Sequence, residues 1–303
     1  IILRDREFCN LSEVVIRPND TKETLLEKVE LATILGTFQS TLVNFKYISK
    51  QWKINCEEER LLGVSLTGIM DNTLTNGKDK NLENLLKELK QKAVEVNKKL
   101  AKDIGIPVSA AITCVKPSGT VSQLTDAASG IHARHNPYYI RTVRGDKKDP
   151  LTMYMSDAGF PVEDDVMNPS HTSVFSFPMK VDKNAIFRMD MSAIQQLEHW
   201  LTYQKHWCEH KPSVTISVKE NEWMEVGAWV YKNFDWMSGV SFLPFSDHTY
   251  QQAPYQDCSA EEYNNMRNKM PKEVDWLKLS EYEKEDTTIA SQELACVAGG
   301  CEI

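Results

Sequence analysis

The residues best suited to chemistry are three cysteines: Cys9 near the start of the chain, and Cys296 and Cys301 in its closing run Glu293-Leu294-Ala295-Cys296-Val297-Ala298-Gly299-Gly300-Cys301-Glu302-Ile303. Two thiols five positions apart on a small-residue turn can close a disulfide and swing, and a chain end gives them reach. Thiol exchange needs a nucleophilic thiolate, an accessible sulfur and a partner, and a mobile dithiol arm suits all three. Two plainer readings stay open for this tail, a solvated end or half of a zinc site, although no second Cys/His pair lies close by to complete one. Prenylation is excluded, because the fourth position from the end is Gly300 rather than Cys.

A second group of residues could hold an anion. Pro117-Ser118-Gly119-Thr120-Val121-Ser122 follows an apolar run and offers hydroxyls, backbone N–H groups and a Gly that allows close approach, a composition that can cradle phosphates or simply make a turn. It matches neither the Walker lysine motif nor the dinucleotide glycine pattern. Ser129-Gly130-Ile131-His132 could supply another such loop or an ordinary turn. His206-Trp207-Cys208-Glu209-His210 fits the H-x-x-E-H pattern of inverted zinc peptidases, yet its helix is expected to stop at Lys211-Pro212, so packing and capping explain it better. Tyr138-Tyr139 and the tryptophans from Trp200 to Trp236 read as core rather than as a radical or electron path. Cys56, Cys114, Cys208 and Cys258 read as small buried hydrophobes, and no metal site is expected.

The elements that must position these residues alternate in type. Apolar residues around Cys9 predict one or two short strands over residues 1–18. Asp20 is expected to cap a helix running to about Phe45, with Glu23 completing a capping box. Leu61 to Met70 reads as an apolar helix with Gly63 and Gly68 for close packing, and a Lys/Glu-rich amphipathic helix fills roughly 80–103. Strands are expected at 107–114, 138–144, 173–178, 213–218 and 239–245, and helices at 190–210 and 220–233. The order is broadly β-α-β, so an α/β architecture follows.

With 303 residues and 41% apolar content, the chain can bury a sizeable core in one large or two ordinary domains. A net charge of −8 gives no electrostatic footprint for a nucleic-acid backbone. Seven scattered cysteines, mostly inside apolar sequence, point to a reducing cytoplasm, and no apolar run approaches a membrane span. The first residue is Ile1 rather than Met, so the chain is expected to be processed or excerpted.

Several unrelated motifs then agree. Asp5-Arg6-Glu7-Phe8-Cys9-Asn10-Leu11-Ser12-Glu13-Val14-Val15, Gly63-Val64-Ser65-Leu66-Thr67-Gly68, the Pro117 loop, Gly239-Val240-Ser241-Phe242-Leu243-Pro244-Phe245 and Asp247-His248-Thr249-Tyr250-Gln251-Gln252-Ala253-Pro254-Tyr255 resemble ribonucleotide reductase in sequence and order. Within that family the chain is most similar to the C-terminal part of the monomeric adenosylcobalamin-dependent ribonucleoside-triphosphate reductases. The resemblance implies part of a ten-stranded α/β barrel of two antiparallel half-barrels over 1–255, a cofactor-side segment over 256–288 and a mobile redox tail over 289–303. It also implies that the thiyl-forming Cys with its Asn and Glu, the other Cys of the redox pair and the allosteric region lie outside this chain, in an N-terminal part. Cys9 then corresponds to a substrate-reducing cysteine, Cys296 and Cys301 to the pair that re-reduces it from thioredoxin, and residues Pro117, Ser118, Gly119, Thr120, Val121 and Ser122 to the substrate-phosphate cradle. Adenosylcobalamin is expected against segments near 155–216 and 250–289. No Asp-x-His-x-x-Gly motif is present, so His248 is not expected to ligate cobalt. The rival readings are a zinc peptidase built on His206, Glu209 and His210, and a noncatalytic interaction module with a redox tail.

Overall fold

The computed structural model describes residues 3–245 and 251–284. In chain order the elements are β1 (Asn10–Val15), α1 (Lys22–Gln39), α2 (Lys50–Glu59), β2 (Leu62–Thr67), α3 (Leu82–Ile104), β3 (Thr113–Cys114), α4 (Gly119–Leu124), β4 (Tyr138–Asp146), α5 (Pro150–Asp157), β5 (Val162–Asp164), β6 (Thr172–Lys180), α6 (Ala193–His206), β7 (Val214–Val218), α7 (Trp223–Lys232), β8 (Val240–Pro244), β9 (Tyr255–Asp257), α8 (Ala260–Lys269) and α9 (Leu279–Tyr282). They divide into two compact units, one of residues 1–134 with 182–245 and one of 135–181 with 246–303.

The first unit is built on parallel strands. β1 pairs with β2 from Asn10↔Leu62 to Val15↔Thr67, and β2 pairs with β3 through Ser65↔Cys114. A parallel bridge from Val115 to Pro212 carries the β3 edge on to the parallel β7–β8 pair. The parallel run is therefore β1-β2-β3-β7-β8, and the described residues do not close it into a ten-stranded barrel. Leu25 and Val29 of α1 and Leu86 and Leu89 of α3 fill one core with Trp200, Tyr203 and Trp207. The two indoles are sealed in with their polar ends satisfied: Trp200 Nε1 donates to the Pro212 carbonyl at 2.8 Å and Trp207 Nε1 to the Cys114 carbonyl at 2.7 Å. Trp200, Trp207 and Trp229 are buried, as the sequence indicates, whereas Trp223 and Trp236 are exposed and do not belong to the core. The second unit carries the antiparallel sheet β5-β6-β4-β9, with Tyr139 buried against His135 and Tyr255.

Three local expectations change. The first helix begins at a Thr21–Thr24 capping box rather than at Asp20, whose carboxylate is taken by Lys28, the Arg17 N–H and the Thr24 hydroxyl, and it ends at Gln39. The run expected as a helix over Leu61–Met70 is strand β2 followed by a 3-10 turn. All six residues of Leu62–Thr67 are buried. A strand covered on both faces is as uniformly apolar as a buried helix, so periodicity cannot tell them apart over so few residues. Helix α2, polar and short, had no apolar stripe to announce it.

Gly68 ends β2 in the left-handed region at φ 77°, and a Cβ there would meet the Ile16 carbonyl oxygen. Gly68→Ala is therefore expected to cost at least about 1–3 kcal/mol, the range for a strained left-handed residue. Urea unfolding checks this, and an unchanged midpoint would contradict the role given to the turn.

Candidate thiol and phosphate-loop site

Cys9 immediately precedes strand β1, and alternation puts Leu11 and Glu13 on one face of the sheet, the face that Cys9 also meets at Gly63. Gly63 of β2 faces them. A Cβ built on Gly63 would meet the Leu11 side chain, and would sit 3.3 Å from Cys9 Sγ and 3.4 Å from Cys114 Sγ. The space of the missing side chain is taken by Leu11, with both thiols close by. Burial raises the Cys9 pKa, with Lys116 opposing it, and pushes Cys114 up to about 12. Cys9 is half-buried and Cys114 fully buried, so among these two the accessible sulfur is Cys9. Cys56 and Cys208 are buried as expected, whereas Cys258 is only partly so.

The strand β3 leads directly into the Pro117–Ser122 segment, which is a turn running into the short helix α4. Its hydroxyls are not equivalent. Ser118 is buried and its Oγ donates to Glu13 Oε2 at 2.8 Å, while Ser122 is fully buried and donates to the Gly119 carbonyl at 3.2 Å. Thr120 is exposed, and space is open around Gly119, where an added Cβ would meet nothing within 4 Å. The first turn of a helix leaves its N–H groups without intrahelical partners, so Gly119, Thr120 and Val121 offer backbone donors beside the Thr120 hydroxyl.

Glu13 joins the two halves of the site. Besides Ser118 it accepts from Ser65 Oγ at 3.4 Å, and Ser65 Oγ in turn accepts from the Lys116 N–H at 3.0 Å. Burial pushes the Glu13 carboxyl above its ordinary value, against the two hydroxyl donors that favour its ionised form. Sequence reasoning passed over Glu13. The available signal was a carboxylate in a strand otherwise heading into Val14-Val15-Ile16, where an unpaired charge is rare.

The floor beneath the loop is pinned by Asp71, also unforeseen. Its carboxylate accepts from the Ala128 N–H at 2.8 Å and takes a two-pronged pair from Arg134, Nε at 2.8 Å and Nη2 at 3.0 Å. Ser129–His132 is a structural turn here: the Gly130 N–H donates to Thr67 Oγ1 and His132 Nε2 accepts from the Thr215 N–H at 3.0 Å.

The H-x-x-E-H pattern does not assemble. Helix α6 ends at His206, which lies 3.4 Å from Glu83. Glu209 accepts from the Ile112 N–H, and His210 Nε2 lies 2.7 Å from the Leu62 carbonyl, so both are engaged by the backbone. Among the described residues no group of three or more His, Cys, Asp or Glu could hold a metal. Nor is any described helix long and apolar enough to cross a membrane. Cys296, Cys301 and His248 lie outside the described residues.

The first unit is thus a parallel-stranded α/β unit in which Cys9 and, through Glu13, the Ser118 loop meet one sheet face. No family model matches the chain. The adenosylcobalamin-dependent ribonucleoside-triphosphate reductase of Euglena gracilis is 27% identical over 86% of this chain and 38% of its own length. The probable enzyme of that name from Dictyostelium discoideum is 30% identical over 89% and 38%, and that of Lactobacillus leichmannii 25% over 100% and 44%. The crystal structure of a B12-dependent (class II) ribonucleotide reductase superposes with a TM-score of 0.78 at 23% identity, covering 93% of this chain and 42% of that one. The chain belongs to the ribonucleotide reductase family, alongside its adenosylcobalamin-dependent members. It spans about two fifths of the length of the curated relatives it matches.

Glu13 yields a pH test. Its carboxyl binds a proton more readily folded than unfolded, so the stabilisation from that proton is full below the ordinary value of 4.5 and is lost as pH rises through the higher folded value. Glu13→Gln, neutral throughout, is therefore expected to improve in denaturant midpoint relative to the native chain between pH 4 and pH 8. A difference between the two proteins that does not vary with pH would contradict the buried-carboxylate account.

Proposed function

We propose that this chain forms the substrate-phosphate and electron-delivery part of an adenosylcobalamin-dependent ribonucleoside-triphosphate reductase, an oxidoreductase that makes 2′-deoxyribonucleotides in the cytoplasm. The observation that carries the reading is the shared sheet face on which Cys9, Gly63, Ser65 and Glu13 lead to the Ser118 loop. Residues 1–255 act as the barrel part, 256–288 as the cofactor-side segment and 289–303 as the redox tail. The thiyl cysteine and the allosteric region belong to the N-terminal part of the complete enzyme, without which this chain does not turn over.

In that enzyme a thiyl radical removes the ribose 3′-hydrogen and the 2′-hydroxyl leaves as water. A dithiol supplies two electrons and becomes a disulfide, and Cys9 is one half of it. Its raised pKa keeps it a protonated thiol at rest, able to give up hydrogen rather than to attack as a thiolate. Lys116, which pulls the same pKa down, favours the thiolate needed when Cys296 and Cys301 exchange with the resulting disulfide and pass on electrons from thioredoxin. The phosphates are held by the Gly119, Thr120 and Val121 N–H groups and the Thr120 hydroxyl. Ser118 and Ser122 shape the loop instead of touching the ligand, because both hydroxyls are already engaged.

Adenosylcobalamin, when bound, supplies the radical by homolysis of its cobalt–carbon bond. Of the segment 155–216 expected to face it, residues 186–202 wall a cleft whose floor holds two buried polar atoms with no partner among the described residues, Asn76 Nδ2 and His199 Nε2. Both atoms are closed off from the cleft, so neither residue is assigned to the cofactor.

Thr120→Val in the complete enzyme is expected to weaken ribonucleoside triphosphate binding by about 10- to 150-fold, the loss of roughly 1.5–3 kcal/mol for one hydrogen bond to a charged group. Equilibrium binding measures it. Unchanged affinity in a folded variant would remove the loop from the phosphate site.

A further inference from the structure

Helix α1 carries apolar residues on two faces, and only one of them is used. Leu25, Val29 and Ala32 turn into the core, and Gly36 lies against the Leu62 side chain of β2. Leu31, Leu35, Phe38 and Leu42 turn outward and are 54%, 66%, 50% and 71% exposed. Their spacing of four, three and four residues makes one continuous ridge along a helix. Leu42 prolongs the ridge past the last turn, where its N–H bonds back to the Gln39 carbonyl at 3.0 Å. Between Glu30 and Lys46 there is no charged residue at all, in a chain of which 26% is charged. A helix that is apolar all round belongs in an interior, so a contiguous ridge of this kind marks a surface that something covers.

The charges around the ridge narrow the choice of partner. Toward the start of α1 it continues as Glu27 and Glu23, both exposed and four residues apart on the same face. Past its other end the chain turns basic, with Lys46 in the connector and Lys50 at the start of α2, both exposed. Arg60 Nη1 at the end of α2 donates to the Ser40 carbonyl at 2.6 Å, which ties α2 back to the end of α1. The charges on the inner flank are matched within the chain, Lys22 with Glu88 and Lys92 with Glu30. An acidic end, an apolar middle and a basic end are complementary to the same surface turned end for end, as a two-fold axis through the middle of the ridge would turn it. Leu35 then packs near its own copy, Leu31 meets the copy's Phe38, and the acidic end of each helix faces the basic connector of the other. A partner of uniform charge would be repelled at one of the two ends.

We propose that the outer face of α1 is the interface of a two-fold dimer, in which the Leu31–Leu42 ridge packs antiparallel on that of a second copy of this chain. The reductases that the sequence resembles are monomeric, so the dimer sets this chain apart from them, and it does not depend on the function proposed above.

Sedimentation equilibrium of the purified chain and of the complete enzyme tests this, and both are expected to be dimeric at about 50 µM. Leu35→Glu brings two carboxylates together at the axis and is expected to weaken the dimer at least about tenfold. Leu35 lies on the outside of the fold, so circular dichroism should find the variant as helical as the native chain. Glu27→Lys and Lys46→Glu are each expected to self-associate about tenfold more weakly, because each reverses two symmetry-related charge pairs. An equimolar mixture of these two variants should recover the native affinity, since every reversed charge then meets its opposite. Monomers of both native proteins up to about 100 µM would overturn the proposal. So would a dimer that Leu35→Glu leaves intact, or a mixture that binds no more tightly than either variant alone. A chain that dimerises while the complete enzyme stays monomeric would also overturn it, and give the face to the N-terminal part.

Discussion

A carboxylate taken out of water must find donors, and Glu13 finds them on two other stretches of the chain at once. Ser65 reaches it from β2 and Ser118 from the loop after β3. Because Cys9 immediately precedes β1, this single carboxylate ties the position of the anion loop to that of the thiol. The pairing depends in turn on the parallel register Glu13↔Ser65↔Cys114, which a slip of one residue would destroy by turning every side chain to the opposite face. Asp71 with Arg134 and the left-handed Gly68 hold the other side of the same loop against the end of β2.

Electrostatics shape what the site can do. The chain carries a net charge of −8, and a half-buried Glu13 is bonded directly to the proposed phosphate loop. Long-range attraction therefore contributes little, and phosphate binding must come from short-range donors at the start of α4. The same burial that raises the Glu13 pKa raises those of Cys9 and Cys114. Burial, partial at Cys9 and complete at Cys114, favours the protonated thiols, which suits hydrogen donation, and leaves Lys116 as the local group favouring the thiolate.

Much of this was legible in sequence where the signal was strongly periodic or chemically distinctive. The amphipathic helix over 80–103, the strand after Pro212 and the Cys9 and Pro117 motifs all lie where their patterns put them. Leu61–Met70 misled because its apolar run carried no period, and only its partners β1 and β3 make it a strand. The loop was recognised by composition, yet composition could not say which of three hydroxyls was free; that follows from Glu13 and the Gly119 carbonyl, contacts made through the fold.

The central claim is that Cys9 reduces substrate while its neighbours across Gly63 do not. It is tested most directly by mapping thiols after one turnover of the complete, prereduced enzyme carrying Cys296→Ser and Cys301→Ser, without external reductant, so that the tail cannot re-reduce Cys9. Alkylation and mass spectrometry are expected to find Cys9 in a disulfide in proportion to the deoxynucleotide formed, with Cys56, Cys114 and Cys208 still free. Product formed while Cys9 remains fully alkylatable would contradict the account.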